Sequence, residues 1–515
     1  MKSIRYHRNK LLLFLIVAVS FFKITLVNQG FLAFPDEDRY RASGQVLKRL
    51  AEGDLHTAIQ FLFSTKGRPG DTVVKVLPTI GQYISAQIFG MEIYESKNAF
   101  PVFIYNYIIY SLLLLLHYKV SLYYLKDRFL SLFSVLILST MVVSYISLRH
   151  ADPYDGSLVI LYYVFYKIIK TENAAISYKK TFLLGVLAFF GYLCYPGYIL
   201  LFLSLPFFCF VTEKDAAYRF SGFKRMVVFI SGSLGCLLIF EGISRCGGVS
   251  FIEISMRLSG TITQGSFDEC FSFIFKYLFE AEGAVGLFLT AGLCTFVGIV
   301  VWDLMRHRKL RIPDIYVTFV ILCFFFLAYS AMGYYFHKVV WYARLIKQFI
   351  PFIVIFTVYA VQRFKMRHSV VTAVVLGLSI NLSVGCCLKI QEYKRYVYPK
   401  DMAWDCFNQY RFKKAMEVFE YGKSRSFMPN FAINKKKFPE PNAPELVFIN
   451  SGGFYPFDDM KDYRKYRNQD NYKLLKSGPS CLHFKAYQYE GYNIRARKNI
   501  DAADLQVQVY VRNVK

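Results

Sequence analysis

The stretch "FPDEDRYRASGQVLKRLAEGD", Phe34 to Asp54, sets Asp36, Glu37 and Asp38 side by side directly behind an apolar run. Carboxylates at a bilayer edge are costly to desolvate. A carboxylate there can serve as a base toward a hydroxyl, or it can cap a helix and complement its dipole. Capping needs one acid, and three are present. A second acidic group stands in "SLRHADPYDGSL", where Arg149, His150, Asp152 and Asp155 fall in one short turn, with Asp155 also placed to cap "GSLVILYYVF". Basic groups gather in "YYFHKVVWYARLIKQFIP": His337, Lys338 and Arg344, interleaved with Tyr334, Tyr335, Trp341 and Tyr342. Membrane anchors with snorkelling heads and an aromatic belt give one reading of that segment. In the other, Arg344 and Lys338 bind an anion, since arginine offers phosphate a planar fork. Carboxylates and cations on one membrane face fit transfer from a lipid phosphate: the leaving phosphate needs cations and the acceptor hydroxyl needs a base.

The elements that must carry these residues are membrane helices. The chain is 55% hydrophobic and 18% aromatic, and its apolar runs of roughly 18 to 22 residues match the ~30 Å of hydrocarbon in a bilayer. After the first run, others lie near residues 101–118, 129–148, 156–170, 181–195, 197–212, 226–245, 283–303, 314–334, 346–362 and 369–389, for about eleven spans. "CYPGY", Cys194 to Tyr198, divides the 181–212 run into two helices through Pro196 and Gly197. The first apolar stretch is too long for a signal peptide and lacks a small-residue cleavage site, so it reads as a retained helix.

The formal net charge is +26, but Lys and Arg fall in short segments between apolar runs. That distribution reads as topology and attraction to anionic lipid, not as a nucleic-acid footprint. "KIIKTENAAISYKK", "YRFSGFKR", "RHRKLRI" and "QRFKMRH" then lie on the cytoplasmic side with the N-terminus. Three segments face outward at length. In the loop 34–100, "DRYRASGQVLKRLAEG" predicts an amphipathic surface helix and "PTIGQYISAQIFG" a second interfacial element. The second segment runs from Cys246 to about Glu282. The third, 391–515, is polar and predicts a small soluble α+β domain beyond the membrane domain 1–390. Within it, "DMAWDCFNQYRFKKAMEVFEYGK" reads as helix, and "ELVFIN", "CLHFKAYQ", "YNIRAR" and "DLQVQVYVR" read as strands. Of eleven cysteines, Cys246 with Cys270 and Cys406 with Cys481 share outward segments and either pair could bridge in an oxidising compartment; unpaired thiols are the other reading.

"DEDRYRASGQVLKRLAEGD" resembles the first outward loop of the GT-C glycosyltransferases, in the branch of the protein O-mannosyltransferases and the lipid A aminoarabinose transferases. The Asp-Glu pair, one residue and Arg-Tyr stand here as Asp36, Glu37, Arg39 and Tyr40, ahead of the amphipathic helix. "KVLPTIGQYISAQIFG", "ADPYDGSLVILYYVFYKIIK" and "YARLIKQFIPFIVIF" are similar to further family segments in the same order, so the likeness covers roughly residues 10–365. It implies a polytopic all-α GT-C-like bundle and an inverting hexosyl or pentosyl transferase. The donor would be a polyprenyl-phosphate sugar, the acceptor a glycan, lipid or protein. Carried over, Asp36 is the base, Glu37 positions it or the acceptor, Asp152 or Asp155 is the second-loop acid, and Arg344 contacts the donor phosphate. Lys338, His337 and Arg149 are further phosphate-binding candidates, with His150 nearby. Some members hold a divalent metal, Mg or Mn, which here would fall to Asp36 and Asp152.

A glycan polymerase or ligase, or a non-catalytic transporter of lipid-linked glycans, is the alternative. A transporter predicts an internal repeat and ionisable groups inside spans; Lys23, His117 and Glu241 lie near span ends. The only glycosylation sequon, Asn381-Leu382-Ser383, falls within a span, which favours a bacterial inner membrane.

Overall fold

A computed structural model of the chain describes residues 2–27, 35–62, 71–91, 100–150, 152, 154–170, 177–211, 219–262, 269–306, 313–337, 341–364, 368–396, 402, 415–418, 446–450, 472–491, 494–502 and 505–512. The chain is mostly helical. After α1 (Lys2–Phe22) come three helices of the first loop, α2 (Pro35–Ala51), α3 (Leu55–Leu62) and α4 (Asp71–Ile88). The bundle continues through α5 (Phe100–Leu125), α6 (Arg128–Thr140), α7 (Val142–Tyr145), α8 (Tyr154–Ile169), α9 (Tyr178–Cys194), α10 (Ile199–Val211), α11 (Arg219–Cys246) and α12 (Phe251–Ile262). It closes with α13 (Phe273–Tyr277), α14 (Ala284–Arg306), α15 (Asp314–Phe336), α16 (Ala343–Ile346), α17 (Ile350–Arg363) and α18 (His368–Arg395).

Among the described residues, six helices are long and apolar enough to cross a membrane: His7–Leu26, Phe100–Leu125, Ser221–Cys246, Ala284–Arg306, Asp314–Phe336 and Ser369–Arg395. The pair Arg128–Thr140 and Val142–Arg149, bent by 73°, makes up to seven. Their outer faces carry large exposed apolar side chains such as Phe14, Phe21, Leu238, Phe324 and Leu388, which in water would be an aggregation surface and in lipid is a matched one. The protein is therefore an integral membrane protein. "CYPGY" does divide its run: α9 stops at Cys194, Tyr195 is extended, and α10 starts at Ile199.

Burial explains which helices lie at the centre. Nearly every position of α6 is buried, polar ones included, as expected of a helix surrounded by others. Its serines turn inward without leaving hydroxyls unmet: Ser134 Oγ meets His117 Nε2 at 2.7 Å and Ser121 Oγ at 3.1 Å. Asp127 starts the helix by accepting from the amides of Phe129 and Leu130 at 2.7 and 3.1 Å. Between α9 and α11 the backbones touch. A side chain at Gly185 would run into the carbonyl of Phe229, and one at Gly232 into that of Phe182, the small-residue crossing by which membrane helices gain close packing.

In the first loop, α2 covers "DRYRASGQVLKRLA" as predicted and gives way at Gly53, whose φ of 79° suits a residue without Cβ. Helix α4 contains "PTIGQYISAQI". The two helices are joined by Ser43 Oγ and Thr79 Oγ1 at 3.0 Å. Helix α4 then rests on α5, with Ser85 Oγ donating to the Pro101 carbonyl at 2.8 Å.

The C-terminal segment holds a four-stranded sheet of order β1 (Ala415–Val418), β2 (Leu446–Asn450), β4 (Gln506–Arg512), β3 (Tyr472–Pro479). Strands β1 and β2 are parallel and the other pairs antiparallel, with Val447 opposite Tyr510. "ELVFIN" and "DLQVQVYVR" form strands as predicted. "CLHFKAYQ" and "YNIRAR" do not: they form a 3-10 turn (Cys481–His483), α19 (Lys485–Gly491) and α20 (Ile494–Ala502). Burial of Arg497 and Ile500, three apart, shows the helical face that a short mixed sequence hides. The predicted helix at 401–423 contains strand β1, its other residues lying almost wholly outside the described ones. Cys246 is an exposed thiol, so no bridge joins it to Cys270; Cys406, the possible partner of Cys481, lies outside the described residues.

Candidate functional site

The turn carrying Arg149, His150 and Asp152 exists because the helix before it is broken. At Met141 the backbone becomes extended (ψ 141°) and the chain restarts as α7 at a steep angle. A restart inside a bundle exposes amide groups that need acceptors. Glu282, just before α14, supplies them: its carboxylate accepts from the amides of Val142 at 2.7 Å and Val143 at 2.9 Å, and from the Tyr277 hydroxyl at 3.0 Å. Farther on, Asn106 of α5 donates to three carbonyls of the turn, those of Ser147, Leu148 and His150, at 3.1, 3.1 and 2.8 Å. Two side chains from outside the turn therefore fix it.

The turn delivers Asp152 and then Asp155, both buried, to the start of α8. Lys347 meets Asp155, and a second cation, Arg344, lies one helical turn before it. Arg344, on α16, donates from Nε to the Tyr195 hydroxyl at 3.0 Å and from Nη1 to the carbonyl and to Oε2 of Glu490, each at 3.0 Å. Its guanidinium lies 4.5 Å from the Tyr342 ring centroid and 5.8 Å from that of Tyr154, a stacking that arginine favours. Lys347 is 3% exposed and forms an ion pair with Asp155. That contact is one of charge, not of aligned hydrogen bonding: Lys347 Nζ and Asp155 Oδ1 complete no hydrogen bond among the described residues. Gln348 holds this segment against α10, accepting from the Leu201 amide at 2.9 Å and donating to the Leu345 carbonyl at 2.7 Å. Between the groups stands Tyr198, fully buried, whose hydroxyl completes no hydrogen bond among the described residues. It lies within electrostatic range of Asp155, Asp152 and Glu490.

The C-terminal segment closes this end of the bundle. Glu490 of α19 is buried against Arg344, and burial raises its carboxyl above the ordinary range although Arg344 and Lys347 oppose the shift. Tyr487 packs beside His150, the hydroxyl 2.5 Å from Nε2, and meets the Tyr393 hydroxyl of α18. Burial pushes the Tyr487 phenol well above its usual value. Arg149 donates from Nε to Tyr393 at 2.9 Å and stacks 3.5 Å from the same ring centroid. Tyr489 meets Phe273 and Tyr277 edge to face, with centroids 5.4 and 5.6 Å apart. Arg497 of α20 pairs with buried Glu269.

Asp152 and Asp155 thus lie about Tyr198 together with Glu490, the partner of Arg344. Arg149 and His150 are at the same end, engaged with aromatic hydroxyls that dock the tail. His337 is exposed in a left-handed conformation (φ 51°) at the end of α15, and Lys338 lies outside the described residues. Asp36, Glu37, Arg39 and Tyr40 occupy the first two turns of α2, their side chains outside the described residues. Among the described residues no three His, Cys, Asp or Glu side chains group to hold a metal. Sequence reading missed Lys347, Glu490, Tyr195 and Tyr198. Lys347 had a signal, its spacing of three from Arg344 on a helical segment; Glu490 had none, since its place depends on the fold of the tail. Of the intramembrane groups noted in the sequence, Lys23 is fully buried and donates to the Tyr110 hydroxyl at 2.6 Å and to the Ser139 carbonyl. His117 is held between Tyr162 and Ser134, and Glu241 accepts from Arg245 and from the Ile252 amide.

No protein-family model, curated protein or solved structure matches this chain.

Proposed function

We propose that the protein is a GT-C-type membrane glycosyltransferase that moves a sugar from a polyprenyl-phosphate donor to a glycan, lipid or protein acceptor, with inversion. The observation that carries this reading is the buried Lys347–Asp155 pair with Asp152 nearby, and the part-buried Arg344 one helical turn away, at one end of the bundle. Cations so placed offset the charge of a departing phosphate, and in a site shielded from water they do so strongly. The acceptor oxygen attacks the anomeric carbon as the bond from that carbon to the phosphate oxygen breaks. The bonding electrons leave with the polyprenyl phosphate, facing Arg344, and the acceptor proton passes to the Asp36 carboxylate. Glu37 positions that base or the acceptor, and Asp152 or Asp155 completes the acidic side.

In this reading the shorter helices α8, α9, α10 and α17 also cross the bilayer, which with the seven candidates makes about eleven spans. The N-terminus is cytoplasmic, and the loop containing α2 to α4 and the C-terminal segment lie on the outer face of a bacterial inner membrane. A transporter of lipid-linked glycans is the second reading, favoured by the buried Lys347–Asp155 pair between helices. Asp36→Asn in the purified protein separates them: it removes sugar transfer while preserving folding and donor binding. Undiminished transfer refutes the role of Asp36, and lipid-linked sugar movement without transfer selects the transporter.

A further inference from the structure

The contact between Arg344 and Glu490 joins a residue of the bundle to one 146 positions later in the C-terminal segment. The side chain of Glu490 is 8% exposed and that of Arg344 20%, so the tail places a carboxylate against the Arg344 guanidinium. A carboxylate and a phosphate ester present the same feature to arginine, two anionic oxygens spaced for a planar fork. Lys347 lies within electrostatic range of the same carboxylate. The donors around it are incompletely used: the fully buried Tyr198 hydroxyl completes no hydrogen bond among the described residues, and Lys347 Nζ, ion-paired with Asp155, completes no aligned one. Leaving buried donors unmet is unfavourable. One carboxylate has too few oxygens to serve this set, whereas a phosphate ester brings more acceptors and more charge.

We propose that Arg344 and Lys347, with Tyr195 and Tyr198, form a phosphate-ester binding site that the chain occupies with its own Glu490, so that α19 is a lid which the ligand displaces. This rests on the lipid-phosphate reading of the site. The lid moves as a unit with α20, because Gln488 donates to Asp501 Oδ1 at 3.0 Å and Lys485 pairs with Asp501 at 2.5 Å. It is held by contacts of a kind that can part and re-form: the Tyr487 hydroxyl on His150, Tyr489 edge-on to Phe273 and Tyr277, and Arg497 on Glu269. While it is down, Glu490 competes with any anion for Arg344.

The test uses the full-length protein in lipid nanodiscs, with polyprenyl phosphate in one arm and inorganic phosphate in the other. Hydrogen exchange is read at residues 485–491 and probe binding is measured for wild type, Glu490→Ala and Arg344→Ala. The lid predicts faster exchange at 485–491 when the probe binds, about tenfold tighter binding by Glu490→Ala, as for a typical coupling between sites, and loss of the response in Arg344→Ala. A response to polyprenyl phosphate alone, or to both probes, supports the proposal and tells whether the lipid chain is also recognised. A response to inorganic phosphate alone keeps the lid and overturns the lipid-phosphate reading. Polyprenyl phosphate that binds with exchange at 485–491 unchanged and with equal affinity in wild type and Glu490→Ala overturns the lid and leaves the donor reading standing. Failure of both probes to bind wild type and Glu490→Ala overturns both.

Discussion

Replacing Glu282 with Ala is expected to loosen the turn that carries Arg149, His150 and Asp152 while leaving those residues unchanged. The carboxylate accepts from the amides of Val142 and Val143, both buried, at 2.7 and 2.9 Å, and from the Tyr277 hydroxyl at 3.0 Å. The groups are buried, so a lost acceptor is not replaced by bulk water. Two buried amides left unmet at about 1–3 kcal/mol each give a destabilisation of roughly 2–6 kcal/mol. Glu282→Gln keeps one acceptor oxygen and is expected to fall between wild type and Ala. The assay is thermal unfolding of the detergent-purified proteins, with hydrogen exchange read at 141–150. Exchange should rise there first, because Asn106 holds only the later carbonyls of the turn. An Ala variant within about 1 kcal/mol of wild type, the size of one ordinary hydrogen bond, with exchange at 141–150 unchanged, refutes the claim that Glu282 holds the break.

Lys347→Met leaves Asp155 charged and buried without its partner, at a cost of about 3–5 kcal/mol, and adding Asp155→Asn should recover most of it; equal unfolding temperatures for single variant and wild type contradict this. Gly232→Val drives a side chain into the Phe182 carbonyl, so α9 and α11 must separate, and the measure is a lowered unfolding temperature in detergent, with no change as the contrary result. Glu490 has its carboxyl raised above the ordinary 4.5 by burial, so the docked tail binds a proton more tightly than the free one. Its docking is then firmest below about 4.5 and weakens as pH rises through the docked value. Hydrogen exchange at 485–491, corrected for intrinsic rates, should report faster opening at higher pH; slower opening contradicts the assignment.

Much of the membrane domain was legible because hydropathy is a long-range average: a helix lies at each apolar run, and the break at "CYPGY" follows from a proline and a glycine that need no tertiary context. The tail was less so. Phe484 and Tyr487 are buried by contact with the bundle, so the apolar pattern that read as a strand in "CLHFKAYQ" was set by neighbours far away in the chain. The acids of the second turn and Arg344 were legible as types, since charges beside apolar runs stand out. Their partners were not. Glu282 looks like any acid before a helix, and Glu490 like any acid of a soluble tail, until the break at Met141 and the docking of α19 give each its place.

The central claim is that a lipid phosphate meets Arg344 and Lys347 on the way to sugar transfer. The most direct measurement is turnover of a panel of polyprenyl-phosphate hexoses and pentoses by the purified protein in proteoliposomes, comparing wild type with Arg344→Gln. Wild type is expected to release polyprenyl phosphate from at least one donor. Arg344→Gln should lower kcat/KM by about 100-fold or more, the loss that follows removal of one group stabilising developing charge. Release from no donor by wild type, or equal turnover by both proteins, would contradict the account.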